Sequence, residues 1–140
     1  MVYVLDASVA LKWFLPEDDS DRARTLLARF LAQQDHLIAP DLNVSEFGHG
    51  LRKNFLGNRL TADDARAALA DFLAVRFECV PASSVAHDAW RLVAERRGQF
   101  YDAIYVALAQ ARGCAVVAAD SARESTYRGL GSVVALSTLA

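Results

Sequence analysis

The sequence is short of several residue types that would commit it to common architectures. It holds two cysteines in 140 residues, Cys79 and Cys114, isolated and without C-x-x-C spacing. Neither a disulfide framework nor a sulfur-ligated zinc site is therefore expected, and both thiols read as small, buried, reduced hydrophobes. Lysine occurs only at Lys12 and Lys53. With a net charge of −2 and a pI near 5.9 the chain lacks the strong positive charge of a nucleic-acid coat, although a local basic patch remains compatible with that average. His36, His49 and His87 show no H-x-x-x-H spacing. No apolar stretch approaches the roughly 18 residues of a membrane span, and Asp6 arrives before a signal-type apolar segment can form. A soluble, cytoplasmic protein with no membrane association is expected. The G-x-x-x-x-G-K-[ST], G-x-G-x-x-G and G-x-S-x-G patterns are also missing, which removes P-loop, dinucleotide-binding and serine-hydrolase chemistry.

What the chain does have is a core. Hydrophobic residues make up 54% and charged residues 23%, enough apolar material for one domain spanning residues 1–140. Short β-rich runs alternate with amphipathic segments. Val2–Leu5 reads as a strand followed by a helix from Ala7 to Leu15 that Pro16 stops. Ser20 or Asp21 caps a second helix, and His36–Ala39 forms a strand closed by Pro40. A third helix runs from about Asp41 to Leu56 before Gly57-Asn58, and Thr61 with Asp64 opens a fourth in capping-box fashion. A brief strand at Glu78–Val80 precedes a helix capped by Ser83 and ended by Gly98, then a helix from Tyr101 to Arg112 ended by Gly113. Cys114–Ala118 and Ser132–Leu136 complete the strands. This alternation predicts an α/β three-layer sandwich with a mainly parallel central sheet flanked by helices.

Four carboxylates stand out. Asp6 and Asp120 each follow an apolar strand, which puts them at the carboxyl edge of a parallel sheet where open α/β folds bind ligands; taken singly, either reads equally as a helix N-cap. Glu46 and Asp102 sit on helices in unusually apolar surroundings, where an uncompensated charge is costly. Asp71 has somewhat similar neighbours, and composition alone does not remove it. Four acids in one pocket repel each other unless protonated, paired with a base or neutralised by a hard cation. Mg2+ or Mn2+ meets that need with oxygen ligands and retained waters, and can acidify and orient a water for attack on a phosphodiester.

Three segments carry a family resemblance that runs through nearly the whole chain. Val4-Leu5-Asp6-Ala7-Ser8-Val9-Ala10-Leu11-Lys12-Trp13, the stretch from Ala39-Pro40-Asp41-Leu42 through Glu46 to Leu51-Arg52-Lys53, and Tyr101-Asp102-Ala103-Ile104-Tyr105-Val106-Ala107-Leu108-Ala109 resemble the acidic motifs of PIN domains, specifically VapC-type toxin ribonucleases. The resemblance implies that Asp6, Glu46, Asp102 and Asp120 are the catalytic and metal-binding acids of an Mg2+- or Mn2+-dependent endoribonuclease. It further implies a homodimer neutralised by a small VapB-like antitoxin docking near the site. The fourth motif departs from the family pattern: Ala118 stands where a Thr or Ser is usual, so a threonine restored there is expected to strengthen the site, and a PIN-fold RNA- or partner-binding module with impaired catalysis is the alternative.

The rest of the chemistry is weaker. Glu46 and His49 make a Glu-x-x-His pair, but a di-iron bundle needs a second copy. A receiver-like phosphoacceptor would need a third-strand aspartate and a late lysine, and neither is present. Arg52, Lys53 and Arg59, and separately Arg91, Arg96 and Arg97, are candidate contacts for an RNA backbone, or else solvated helix ends. Trp13, Phe14 and Leu15 offer an apolar cluster near the pocket that either meets a partner helix or packs in the core.

Overall fold

Val2–Leu5 is β-branched and apolar, and it becomes the central strand of the sheet. A computed structural model describes residues 1–119, 126–127 and 132–139. In chain order it shows β1 (Val2–Leu5), α1 (Ala7–Leu11), α2 (Ser20–Leu31), β2 (His36–Pro40), α3 (Asn43–Leu56), α4 (Ala62–Val75) and β3 (Glu78–Val80). After a 3-10 turn at Ala82–Val85 come α5 (Ala86–Arg96), α6 (Phe100–Arg112), β4 (Ala115–Ala118) and β5 (Val133–Ala135). The strand order is β3-β2-β1-β4-β5 and every pairing is parallel, so the expected α/β sandwich is present with a sheet parallel throughout its described strands.

Side chains alternate across a strand, and this divides the core in two. Val4, Ile38 and Val116 face the layer built from α5 and α6, while Leu5, Leu37 and Val117 face the layer built from α1 to α4. Burial on both faces is why these strands read as continuous apolar runs rather than as alternating ones. In the second layer Phe72 stacks on Phe47 with ring centroids 3.9 Å apart, and Trp13 lies 6.5 Å from Phe72. The indole Nε1 of Trp13 donates to the carbonyl of Ala23 at 2.9 Å. Trp13 and Leu15 are buried and Phe14 is half-buried, so this cluster is core and not a docking surface.

Local boundaries differ from expectation for identifiable reasons. Helix α1 ends at Leu11, and Lys12, Trp13 and Phe14 continue in tighter turns with N–H groups bonded three residues back, as the chain prepares for Pro16. The residue before α2 is Asp19, left-handed at φ 64 and without a side-chain cap; the Ser20 hydroxyl instead donates to the Leu15 carbonyl at 2.6 Å. The Thr61–Asp64 capping box forms as expected. Helix α5 stops at Arg97, with φ 59, rather than at a left-handed Gly98. Gly98 is needed for a different reason, because a Cβ there would lie 2.9 Å from Thr126 Cγ2 and 3.0 Å from the Tyr127 hydroxyl. Gly113 does take the left-handed turn, at φ 63. Cys79 is exposed and Cys114 half-buried, so neither is the fully buried thiol anticipated.

Candidate active site

The sheet order places a switch point between β1 and β4: from β1 the strands proceed outward to β2 and β3, from β4 the other way to β5. Ligand crevices of open α/β sheets lie at the carboxyl ends of such neighbours. Asp6 is the first residue past β1 there, and its backbone N–H donates to the Val117 carbonyl at 3.1 Å. Its carboxylate accepts from the backbone N–H of Ser8 at 3.3 Å and from the Ser8 hydroxyl. Asp6 is thus a buried N-cap of α1 as well as a site candidate. Ser8 Oγ in turn accepts from the N–H of Ala119 at 3.1 Å, so one hydroxyl ties Asp6 to the end of β4. Ala118 at the end of β4 is buried, 2% exposed.

Helices α3 and α6 bring the next two acids. Glu46 and Asp102 lie in the first turns of these helices, where the backbone dipole favours a negative charge. Both are half-buried. The two helices are fastened to β1 by a pair of polar side chains that sequence reasoning passed over. Asn43, 2% exposed, donates through Nδ2 to the Leu5 carbonyl and to the Tyr105 hydroxyl, each at 3.0 Å. Tyr105, fully buried, also hydrogen-bonds to Glu46. Burial, followed by the charges of Glu46 and Asp6, pushes its phenol far above the ordinary tyrosine range. Glu46 lies one turn beyond Asn43 and Asp102 one turn before Tyr105, so each shares a helix face with its neighbour. The available signal was Tyr105 itself, a phenol amid wholly apolar neighbours whose O–H needs a partner when buried.

Asp120 lies outside the described residues. Asp71 is exposed on α4. His49 and His87 are exposed too. Of the basic candidates, Arg59 pairs with Glu17 at 3.0 Å and Arg91 with Asp88 at 3.3 Å; Arg96 is half-buried, Arg52 and Lys53 are exposed on α3, and Arg97 is exposed after α5. Among the described residues no three of His, Cys, Asp and Glu are grouped so as to hold a metal ion by themselves. The donors that are present are carboxylate oxygens, and Asn43 Oδ1 is a further oxygen buried without a hydrogen-bond partner among the described residues. In kind, this set fits a hard divalent cation and not a sulfur- or imidazole-seeking one.

The fold is a parallel α/β sandwich with Asp6 at the carboxyl end of β1, beside β4. The PIN domain family model matches residues 3–128. The chain is 37% identical over 117 residues to the VapC ribonuclease Mb0985 of Mycobacterium bovis, covering 84% of each chain. It superposes on PAE2754 of Pyrobaculum aerophilum with a TM-score of 0.68 at 22% identity, covering 99% of this chain and 94% of the other. It also superposes on VapBC2 of Rickettsia felis bound to a DNA fragment from their promoter, with a TM-score of 0.67 at 17% identity over 96% and 98% of the two chains. The chain belongs to the PIN-domain family, in its VapC branch. Among the described residues no helix is long and apolar enough to cross a membrane.

Proposed function

We propose that this protein is a cytoplasmic, divalent-metal-dependent endoribonuclease of the toxin type, acting as one domain over residues 1–140. The observation that carries the reading is the hydrogen-bonded link at the carboxyl end of β1, where Ser8 holds the buried Asp6 carboxylate and Asn43 joins the Leu5 carbonyl to the hydroxyl of Tyr105, itself bonded to Glu46, in a chain similar to a VapC ribonuclease. Asp6, Glu46, Asp102 and Asp120 would hold Mg2+ or Mn2+. When bound, such an ion supplies charge neutralisation at the phosphodiester and acidifies a water for hydrolysis. Ser8 holds the Asp6 carboxylate, and the first turns of α3 and α6 hold Glu46 and Asp102 against mutual repulsion. Arg52 and Lys53 contribute charge for the RNA backbone.

The relatives support a reading of the partners. A chain of the VapBC2 structure has this fold, which supports a small VapB-like antitoxin as the partner, with the protein itself a homodimer. A cationic antitoxin side chain entering the acidic edge would compete with the ion, so inhibition weakens as Mg2+ rises. Co-purification followed by mass spectrometry and light scattering tests this: a dimer with a small companion supports it, and a strict monomer that is harmless when expressed alone contradicts it. Ala118 favours one second reading, an RNA- or partner-binding PIN module with impaired catalysis. RNA cleavage by the purified protein, measured with and without added Mn2+, separates the two.

A further inference from the structure

Asn43 and Tyr105 form a directed chain whose polarity is fixed by chemistry. Asn43 Nδ2 can only donate, so at 3.0 Å the Tyr105 oxygen accepts. The phenol has a single proton, and the Glu46 carboxylate is an acceptor, so that proton points at Glu46. The other Nδ2 proton goes to the carbonyl of Leu5, the residue before Asp6. The chain therefore begins at the backbone holding one candidate ligand and ends on the carboxylate of another, spanning β1, α3 and α6. A phenylalanine would fill the same space between Ala103 and Ala109 without burying a hydroxyl, and burying a hydroxyl is costly unless it is bonded. A side chain that both receives a fixed donor and points its proton at a carboxylate restricts where that carboxylate can turn.

We infer that Tyr105, held by Asn43, is a positioning residue that orients the Glu46 carboxylate for cation binding. The inference rests on the metal-dependent reading proposed above and adds a residue to it. It separates two roles a buried phenol can have: a purely structural tyrosine would support the fold whatever occupies position 46, whereas a positioning tyrosine acts only through Glu46.

The test uses the full chain, Mn2+ as the probe and calorimetric titration as the readout, with Tyr105→Phe measured alone and in a Glu46→Gln background. Outer hydrogen-bond partners of metal ligands typically change affinity by about 10–100-fold, so Tyr105→Phe is expected to weaken Mn2+ binding by that range. In the Glu46→Gln background the same change should alter affinity by less than about twofold, because the group it acts through is gone. For RNA cleavage, kcat should fall while KM stays within about twofold. If Tyr105→Phe does not fold, Asn43→Ser, which releases the hydroxyl from its anchor, is expected to weaken Mn2+ binding in the same direction. An unchanged Mn2+ affinity in a folded variant, or an equal loss with and without Glu46, overturns the positioning role. Absence of saturable Mn2+ binding in the unmodified protein overturns the metal reading itself, and the inference with it.

Discussion

Replacing Asp6 by Asn separates its two roles, and the sizes can be set beforehand. The carboxylate accepts two hydrogen bonds from Ser8 and caps α1. The Asn amide oxygen can accept in the same place, and Asn is about as good an N-cap as Asp, so the capping loss is a few tenths of a kcal/mol at most, roughly. Removing the charge also removes its repulsion with the neighbouring carboxylates. The metal-free variant should therefore melt at or slightly above the unmodified protein. For a chain of this length 1 kcal/mol corresponds to about 3–4 °C in Tm. Mn2+ at a hundredfold excess over its Kd adds about 2.7 kcal/mol, or about 9 °C, to a protein that binds it, and should add almost nothing to Asp6→Asn. Thermal unfolding of both proteins with and without Mn2+ reads all four values. A metal-free variant melting well below the unmodified protein would show that Asp6 is chiefly a structural cap. An equal shift by Mn2+ in both would refute its part in holding the ion.

Three further outcomes follow from the packing. Ala118→Thr restores the hydroxyl usual in the family pattern and adds two heavy atoms at a buried site, so calorimetry should read tighter Mn2+ binding while urea unfolding reads a packing cost of at most about 1–3 kcal/mol. The hydrogen bond from Arg29 Nε, at 2.6 Å, holds the buried Asp35 carboxyl below the usual carboxylate range. Its stabilisation is present above the unfolded-state pKa and lost as pH falls through the lower folded value, so Asp35→Asn should show a shallower loss of urea midpoint between about pH 5 and pH 2. Phe72→Ala removes the ring stacked on Phe47 and should cost about 3–5 kcal/mol by chemical denaturation.

The layers, the parallel sheet and the edge position of Asp6 were legible because strand burial, helix periodicity and capping are local and leave local patterns. The ends of elements were less so. Gly98 reads as a helix stop, yet its small size serves the approach of Thr126 and Tyr127 while Arg97 makes the turn. Trp13 to Leu15 could equally meet a partner or the core, and only Phe72 and the Ala23 carbonyl decide it. The Asn43–Tyr105 link was harder to see for a related reason: Tyr105, a phenol among apolar neighbours, signals a need for a partner, but that partner lies 62 positions away and emerges only when the fold sets the two at 3.0 Å. Glu46 and Asp102 stood out because a charge in apolar surroundings conflicts with its neighbours, and such conflicts mark functional positions.

The most direct test of the account is the chemistry of the RNA ends. Incubating the purified protein with RNA, with and without Mn2+ and alongside Asp102→Asn, and mapping both product termini by sequencing, reads site, dependence and nucleophile together. Internal cuts are expected at discrete positions; they should need the divalent ion, vanish in Asp102→Asn, and leave no 2′,3′-cyclic phosphate, because water and not the 2′-hydroxyl attacks. Cuts that persist in a chelator or in Asp102→Asn, or that end in cyclic phosphate, would contradict it.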